Sequence, residues 1–138
     1  MATSASWELQ KGIYQALAGD TSITGLLGGT NFYDDAPQSA DYPYLTFGQS
    51  IARDWSTGSE DGLEHILTLH VWSRAGGKNQ THEIIEAIRQ ALKVAPVAIN
   101  DHALVNLRHE FSEARQDPDG ETYHGIVRYR AVTEPLAA

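Results

Sequence analysis

The stretch Leu63-Glu64-His65-Ile66-Leu67-Thr68-Leu69-His70-Val71-Trp72-Ser73-Arg74-Ala75-Gly76-Gly77 decides the fold. It is a run of aliphatic, β-branched and aromatic residues that stops at a double glycine and leads into a helical pattern. Apolar residues fall at both odd and even positions, so both faces of this strand are expected to be covered. A short chain has too few elements to cover both faces of a sheet by itself. The expectation is that another copy of the chain supplies the second layer, which points to assembly and away from catalysis.

Downstream, residues 78–94 carry a helical stripe of Ile84, Ile85, Ile88 and Leu92, and Pro96 prevents its continuation. Residues 97–100 and 103–113 read as strands flanking a tight turn at Asn100-Asp101-His102. Asp117-Pro118-Asp119-Gly120 is a second turn signal. In the final strand, 121–132, Tyr123, Val127 and Tyr129 alternate with His124, Ile126 and Arg128.

Upstream, Leu9, Ile13, Ala16 and Leu17 share one face of a helix capped by Ser4 or Ser6 and ended by Gly19. Asp20 caps a short helical turn over 21–27, closed by Gly28-Gly29. A short strand at 31–34 and a proline-bracketed loop at 35–43 follow. Residues 44–52 read as a strand with Leu45, Phe47 and Ile51 on one face, and 53–62 as a polar connection. The predicted fold class is α+β: a mostly antiparallel sheet with two main helices packed on one face, plus hairpins. Residues 1–138 are expected to form a single domain.

Composition narrows the function. The chain is 41% hydrophobic and 20% charged, ordinary values for a folded domain. Eighteen acidic against ten basic residues give a net charge of -8, with no basic run. Such a chain repels nucleic-acid phosphates at long range, so sequence-specific DNA reading is not expected. The chain has no cysteines, which excludes disulfides, thiolate metal sites and cysteine nucleophiles. The N-terminus lacks a signal-peptide pattern, and the longest apolar stretch, 94–99, is too short to span a bilayer. A soluble protein folding in a reducing cytoplasm is expected, with no membrane partner and no cofactor.

Few constellations resemble chemistry. His82 and Glu86 lie one helical turn apart, as in His-Glu-x-x-His zinc sites, but no third ligand follows. The competing reading is a solvated helix face on which Glu86 pairs with Arg89. His65 and His70 fall on opposite faces of one strand. His109 and His124 sit on strands that would be neighbours across the Asp117–Gly120 turn. Gly48-Gln49-Ser50-Ile51-Ala52 is close to a nucleophile elbow, but no helix follows it. The glycine-rich runs at 25–30 and 76–78 lack the residues of a phosphate loop. Candidate interface residues are therefore Arg53, Asp54 and Trp55 in the polar connection, with Trp72 and Arg74 at the far end of the central strand. Tryptophan and arginine are the residues most enriched at interface hot spots. The alternative for Trp55 is that it folds back over its own sheet.

Three groups of residues together resemble a known family. They are Arg53-Asp54-Trp55 and Glu60-Asp61-Gly62 running into the central strand; Tyr42-Pro43-Tyr44 before it; and Leu104-Val105-Asn106-Leu107-Arg108, Asp117-Pro118-Asp119-Gly120 and Arg130-Ala131-Val132-Thr133-Glu134-Pro135 after it. The pattern is similar to the tail-completion or tail-terminator family of long-tailed bacteriophages and gene transfer agents, over nearly the whole chain. The resemblance implies a structural virion-type protein and not an enzyme, assembled in the bacterial cytoplasm and located in the particle tail. It implies a homo-oligomeric ring, hexameric in related systems, that caps the tail tube, stops its polymerisation and joins the tail to the head connector. DNA would pass through the ring without specific binding. Glu60, Asp61, Asp117, Asp119 and Glu121 are candidate acidic loop or lumen residues. Two other readings stand beside it: a metal-dependent hydrolase using His82 and Glu86, and a monomeric adaptor that takes a peptide strand at a sheet edge.

Overall fold

The computed structural model describes residues 4–94 and 97–136. The first helix, α1 (Ala5–Ala18), starts where the Ser4 hydroxyl accepts from the Trp7 amide, and stops at Gly19. Asp20 caps α2 (Thr21–Leu27) through the Ile23 amide. Gly28 ends α2 with φ 76°, a left-handed conformation that costs glycine little. Two strands follow, β1 (Phe32–Tyr33) and β2 (Tyr44–Asp54), and then β3 (Leu63–Ser73), the stretch quoted first. The chain continues with α3 (Asn79–Val94), β4 (His102–Gln116) and β5 (Tyr123–Pro135). The fold is α+β, as the alternation of patterns predicts.

The sheet order is β1-β2-β3-β5-β4. The β1–β2 pair is parallel and every other pair is antiparallel. β3 lies at the centre of the sheet, with a strand hydrogen-bonded along each edge. Its odd positions, including Leu67, Leu69 and Val71, join one hydrophobic core with Leu9, Ile13 and Leu17 of α1 and Ile84, Ile85 and Ile88 of α3. Gly125 of β5 is required where α3 crosses: a Cβ there would lie 2.8 Å from Thr81 Cγ2 and 3.1 Å from Ile85 Cδ1.

Three sequence expectations fail. Residues 97–100 form no strand. Val97 and Ile99 pack against the core, and the Ala98 carbonyl lies against Gly12 of α1, where a Cβ would approach it to 2.5 Å. β4 therefore takes its ladder from β5, and the predicted hairpin at Asn100-Asp101-His102 does not exist. Ile51 does not share a face with Leu45 and Phe47. A bulge between Phe47 and Ser50 sets two residues of β2 against one of β3, which reverses the parity beyond it. Arg53 and Asp54 end a strand and do not belong to the connection. Pro96 lies outside the described residues.

Candidate functional site

All three helices lie on one side of the sheet, and no helix among the described residues covers the other. The register places the even positions of β3 and β5 on this open face, with Tyr44, Thr46, Ile51 and Arg53 from β2 and Arg108, Phe111, Glu113 and Arg115 from β4. Ile51 is 44% exposed and Phe111 40%. The interface candidates, Asp54 apart, gather in two clusters at opposite ends of this face.

At one end, Glu64 is buried between two arginines. Arg53 Nε donates to its Oε1, and Arg130 Nε donates to its Oε2 at 2.6 Å. These two hydrogen bonds, Arg53 first, hold the Glu64 carboxyl below the usual carboxylate range against the opposing effect of burial. The Trp55 ring sits 5.1 Å from the Arg130 guanidinium, so it does fold back over its own sheet, yet it stays 52% exposed. Asp54 turns away and accepts from Ser56, which lowers its pKa.

At the other end, aromatic rings lie side by side across three strands. Tyr44, Trp72 and His124 are paired in register, with Trp72 and His124 stacked at 3.9 Å. Trp72 Nε1 donates to Thr46 Oγ1 at 3.0 Å. His70 Nδ1 and His124 Nε2 are hydrogen-bonded at 2.7 Å, one ring donating to the other. Burial lowers both imidazole pKa values. The nearby Arg115 charge adds to the effect at both rings, and for His124 the charge of His70 does as well. Arg74 reaches the same end, 4.4 Å over the Tyr42 ring, and its Nε donates to Thr122 Oγ1 at 3.1 Å.

The acidic candidates do not come together. Glu60 and Asp61 sit at the tip of the β2–β3 hairpin, whereas Asp117, Asp119 and Glu121 belong to the β4–β5 turn. The length of β3, about 33 Å at strand rise, separates the two groups. Asp117 lies 3.8 Å from His124 Nδ1. Asp119 accepts from the Thr122 and Glu121 amides, which lowers its pKa, while Glu121 is exposed.

The metal reading finds no geometry. Glu86 accepts from Gln90 and Arg89 on the exposed side of α3, and no group of three ligands exists among the described residues. His65 and His70 fall on opposite faces, as their spacing predicts: His65 lies under α1, bonded to Thr133 at 2.8 Å. His109 and His124 also face opposite sides, so they do not meet. A groove of about 400 Å³ between α1 and β1, lined by Trp7, Tyr14, Phe32 and Phe47, contains none of the sequence candidates. Sequence reasoning missed Glu64 and the His70–His124 pair. A lone carboxylate within an apolar strand was a usable signal for the first. The second depends on a register between distant strands.

The chain matches the family model described as tail completion protein gp17 over residues 11–134. It is 28% identical over 129 residues to the tail completion protein gp17 of Bacillus phage SPP1, covering 91% of this chain and 92% of that protein. A chain in the structure titled "Virion of native gene transfer agent (GTA) particle" aligns with TM-score 0.84 and 25% identity, covering 96% of this chain and 99% of that one. The structure of bacteriophage SPP1 gp17 aligns with TM-score 0.61 and 21% identity, covering 96% and 91%, and so shares the fold. With the family model spanning most of its length, the chain belongs to the tail completion protein gp17 family.

Proposed function

We propose that copies of this chain close into a ring, hexameric as the resemblance implies, at the head-proximal end of a tail tube. The ring ends tube polymerisation, offers a surface to the head connector and lets DNA pass through its centre. The tail completion family is structural and not enzymatic, and a chain in a gene transfer agent virion shares this architecture at TM-score 0.84. One observation carries the ring reading: a five-stranded sheet with helices on one side only, whose other side presents half-buried aromatic and arginine side chains. A surface of that kind is completed by a neighbour, and a head-to-tail contact closes into a ring when its rotation closes.

The sheet's outer edge argues for a face contact over an edge contact. β4 is an edge strand, but bulges at Leu104/Asn106 and His109/Phe111 interrupt its ladder. Bulges of this kind blunt an edge against further pairing. This also disfavours the strand-edge adaptor reading. The net charge of -8 supports passage of DNA without adhesion, because phosphates meet repulsion and not binding.

The test is deletion of the gene in the particle-producing strain. Tails of abnormal length, or tails unattached to heads, are expected. Normal, filled particles would refute the reading.

A further inference from the structure

We propose that the tip of the β2–β3 hairpin of one copy, bearing Glu60 and Asp61, seats on the open sheet face of the next copy against Arg108 and Arg128. The proposal rests on the ring reading and names its contact.

The open face is the arginine-bearing surface of an acidic chain. Arg53, Arg108, Arg115, Arg128 and Arg130 share it, against Glu64, Glu113 and Glu134. Glu64 already holds Arg53 and Arg130, and Glu113 lies 3.9 Å from Arg115. Arg108 has no ion-pair or hydrogen-bond partner among the described residues. Arg128 lies 5.4 Å over the Phe111 ring, and its Nε is buried without an acceptor. A buried charged donor left unpaired is costly, so this face is short of carboxylate. Two such faces would repel one another, which disfavours a two-fold, face-to-face dimer. The missing carboxylates must come from a different surface of the neighbour.

The β2–β3 hairpin is the element that has them to offer. The Glu60 and Asp61 carboxylates take no partner among the described residues, and 55–61 are all exposed. The tip is nonetheless ordered by its own hydrogen bonds. The Trp55 amide donates to the Gly62 carbonyl at 2.9 Å and the Thr57 amide to the Glu60 carbonyl at 2.8 Å, while Thr57 Oγ1 accepts from the Glu60 amide at 3.0 Å. A loop shaped in advance loses little freedom on docking. Asp117 and Asp119 of the β4–β5 turn, by contrast, face His124, Arg74 and Thr122 within their own copy.

Geometry keeps the contact between copies. Arg128 is in register with Thr68, five residues along β3 from Leu63 where the hairpin leaves the sheet. That is about 17 Å of strand, and the tip extends the opposite way. The tip points along the strands while the face looks across them. A head-to-tail contact between two surfaces inclined in this way turns each copy relative to the last, as a ring requires, whereas a contact between opposite surfaces would stack copies in a line. The contact removes Glu60 and Asp61 from the lumen and leaves Asp117, Asp119 and Glu121 as its acidic candidates.

The experiment is native mass spectrometry of the purified full chain across protein and salt concentrations. It compares wild type, Glu60→Arg/Asp61→Arg, Arg108→Glu, and the three changes combined. Arg108 is exposed and Arg128 is left intact, so folding is not at risk, and thermal melting verifies this. Either reversal alone is expected to weaken assembly by at least about tenfold, and the combination to restore much of it. Assembly of the wild type should weaken as salt rises. If single reversals assemble like wild type, or if the combination is no better than its parts, this contact falls and the ring stands. A wild type that remains monomeric throughout overturns this contact as one that forms between free copies, and the ring is then decided by the deletion strain. Reversed tips that assemble normally but leave tails incomplete in the producing strain would assign the tip to another tail protein and overturn the contact.

Discussion

The His70–His124 pair is where a single proton has the most influence on this fold. The 2.7 Å bond between their rings needs one N–H and one lone pair, so it cannot survive when both rings are charged. The groups around it are Arg115 and Glu113 on β4, Asp117 in the β4–β5 turn and the Trp72 ring on β3. Both folded pKa values lie below the ordinary 6.5, chiefly through burial. The unfolded chain therefore binds more protons than the folded one near and below that pH. The stability contributed is complete above about 6.5 and is lost as pH falls through the folded values. Thermal melting followed from pH 8 to pH 5 is expected to show a declining melting temperature on the acid side. His70→Gln/His124→Gln should shrink that decline without abolishing it, because burial lowers His65 and His109 in the same direction. An unchanged acid slope in this variant would remove the pair from the account. None of this was legible in sequence. The two histidines are 54 positions apart, and only the β3–β5 register, with His70 opposite Ile126 and Trp72 opposite His124, sets them diagonally together.

At the scale of elements, α3 holds the helical layer to the sheet. Its stripe of Ile84, Ile85 and Ile88 is buried against Leu69, Val71 and Val127, and Ile88 is fully enclosed. Ile88→Ala is expected to cost about 2–5 kcal/mol, because the rigid strand floor beneath it cannot collapse into the space. Urea denaturation measures this, and a loss under about 1 kcal/mol would mean the layer repacks freely. This stripe was readable in advance, since a 3.6-residue period needs nothing beyond the helix itself. The cap of α1, narrowed to Ser4 or Ser6, the cap Asp20 and the breaker Gly28 were readable for the same reason: their chemistry is local, and the structure selects Ser4. Residues 97–100 were not, because the pattern of a strand says nothing about whether a neighbour is available to pair with it. β5 takes β4 on one side, and the segment before β4 lies against α1.

For the whole molecule, the clearest sequence signal was the double-sided apolar character of β3. It goes with an open face on which Thr68 and Glu64 are buried with no helix above them. Burial there comes from neighbouring side chains lying flat across the sheet: Trp72 over His124, and Arg130 beneath Trp55. Composition indicated an acidic molecule but not where its positive charge collects. That follows from alternation along strands whose register only the folded chain reveals. Of the interface candidates named from sequence, Arg53 and Trp55 lie at one end of this face and Trp72 and Arg74 at the other, while Asp54 turns away and the acidic candidates divide between opposite ends of the molecule.

The bulge in β2 leaves that strand with one residue more than its ladder can use. Between Phe47 and Ser50 the partner strand has a single place, and both Phe47 and Ser50 keep partners with the same parity. The strand therefore carries spare length at this point and nowhere nearby. Deleting Gln49 should be absorbed, leaving Ile51 opposite Ile66 and Arg53 opposite Glu64. Deleting Ala52, three positions on, should turn Arg53 toward the helices and leave the buried Glu64 with Arg130 alone. The second deletion is expected to lower the melting temperature well below the first. Two shortenings of identical size would then differ in cost solely by which side of a hidden slack they fall on, with the reach of the hairpin preserved in one and its orientation inverted in the other.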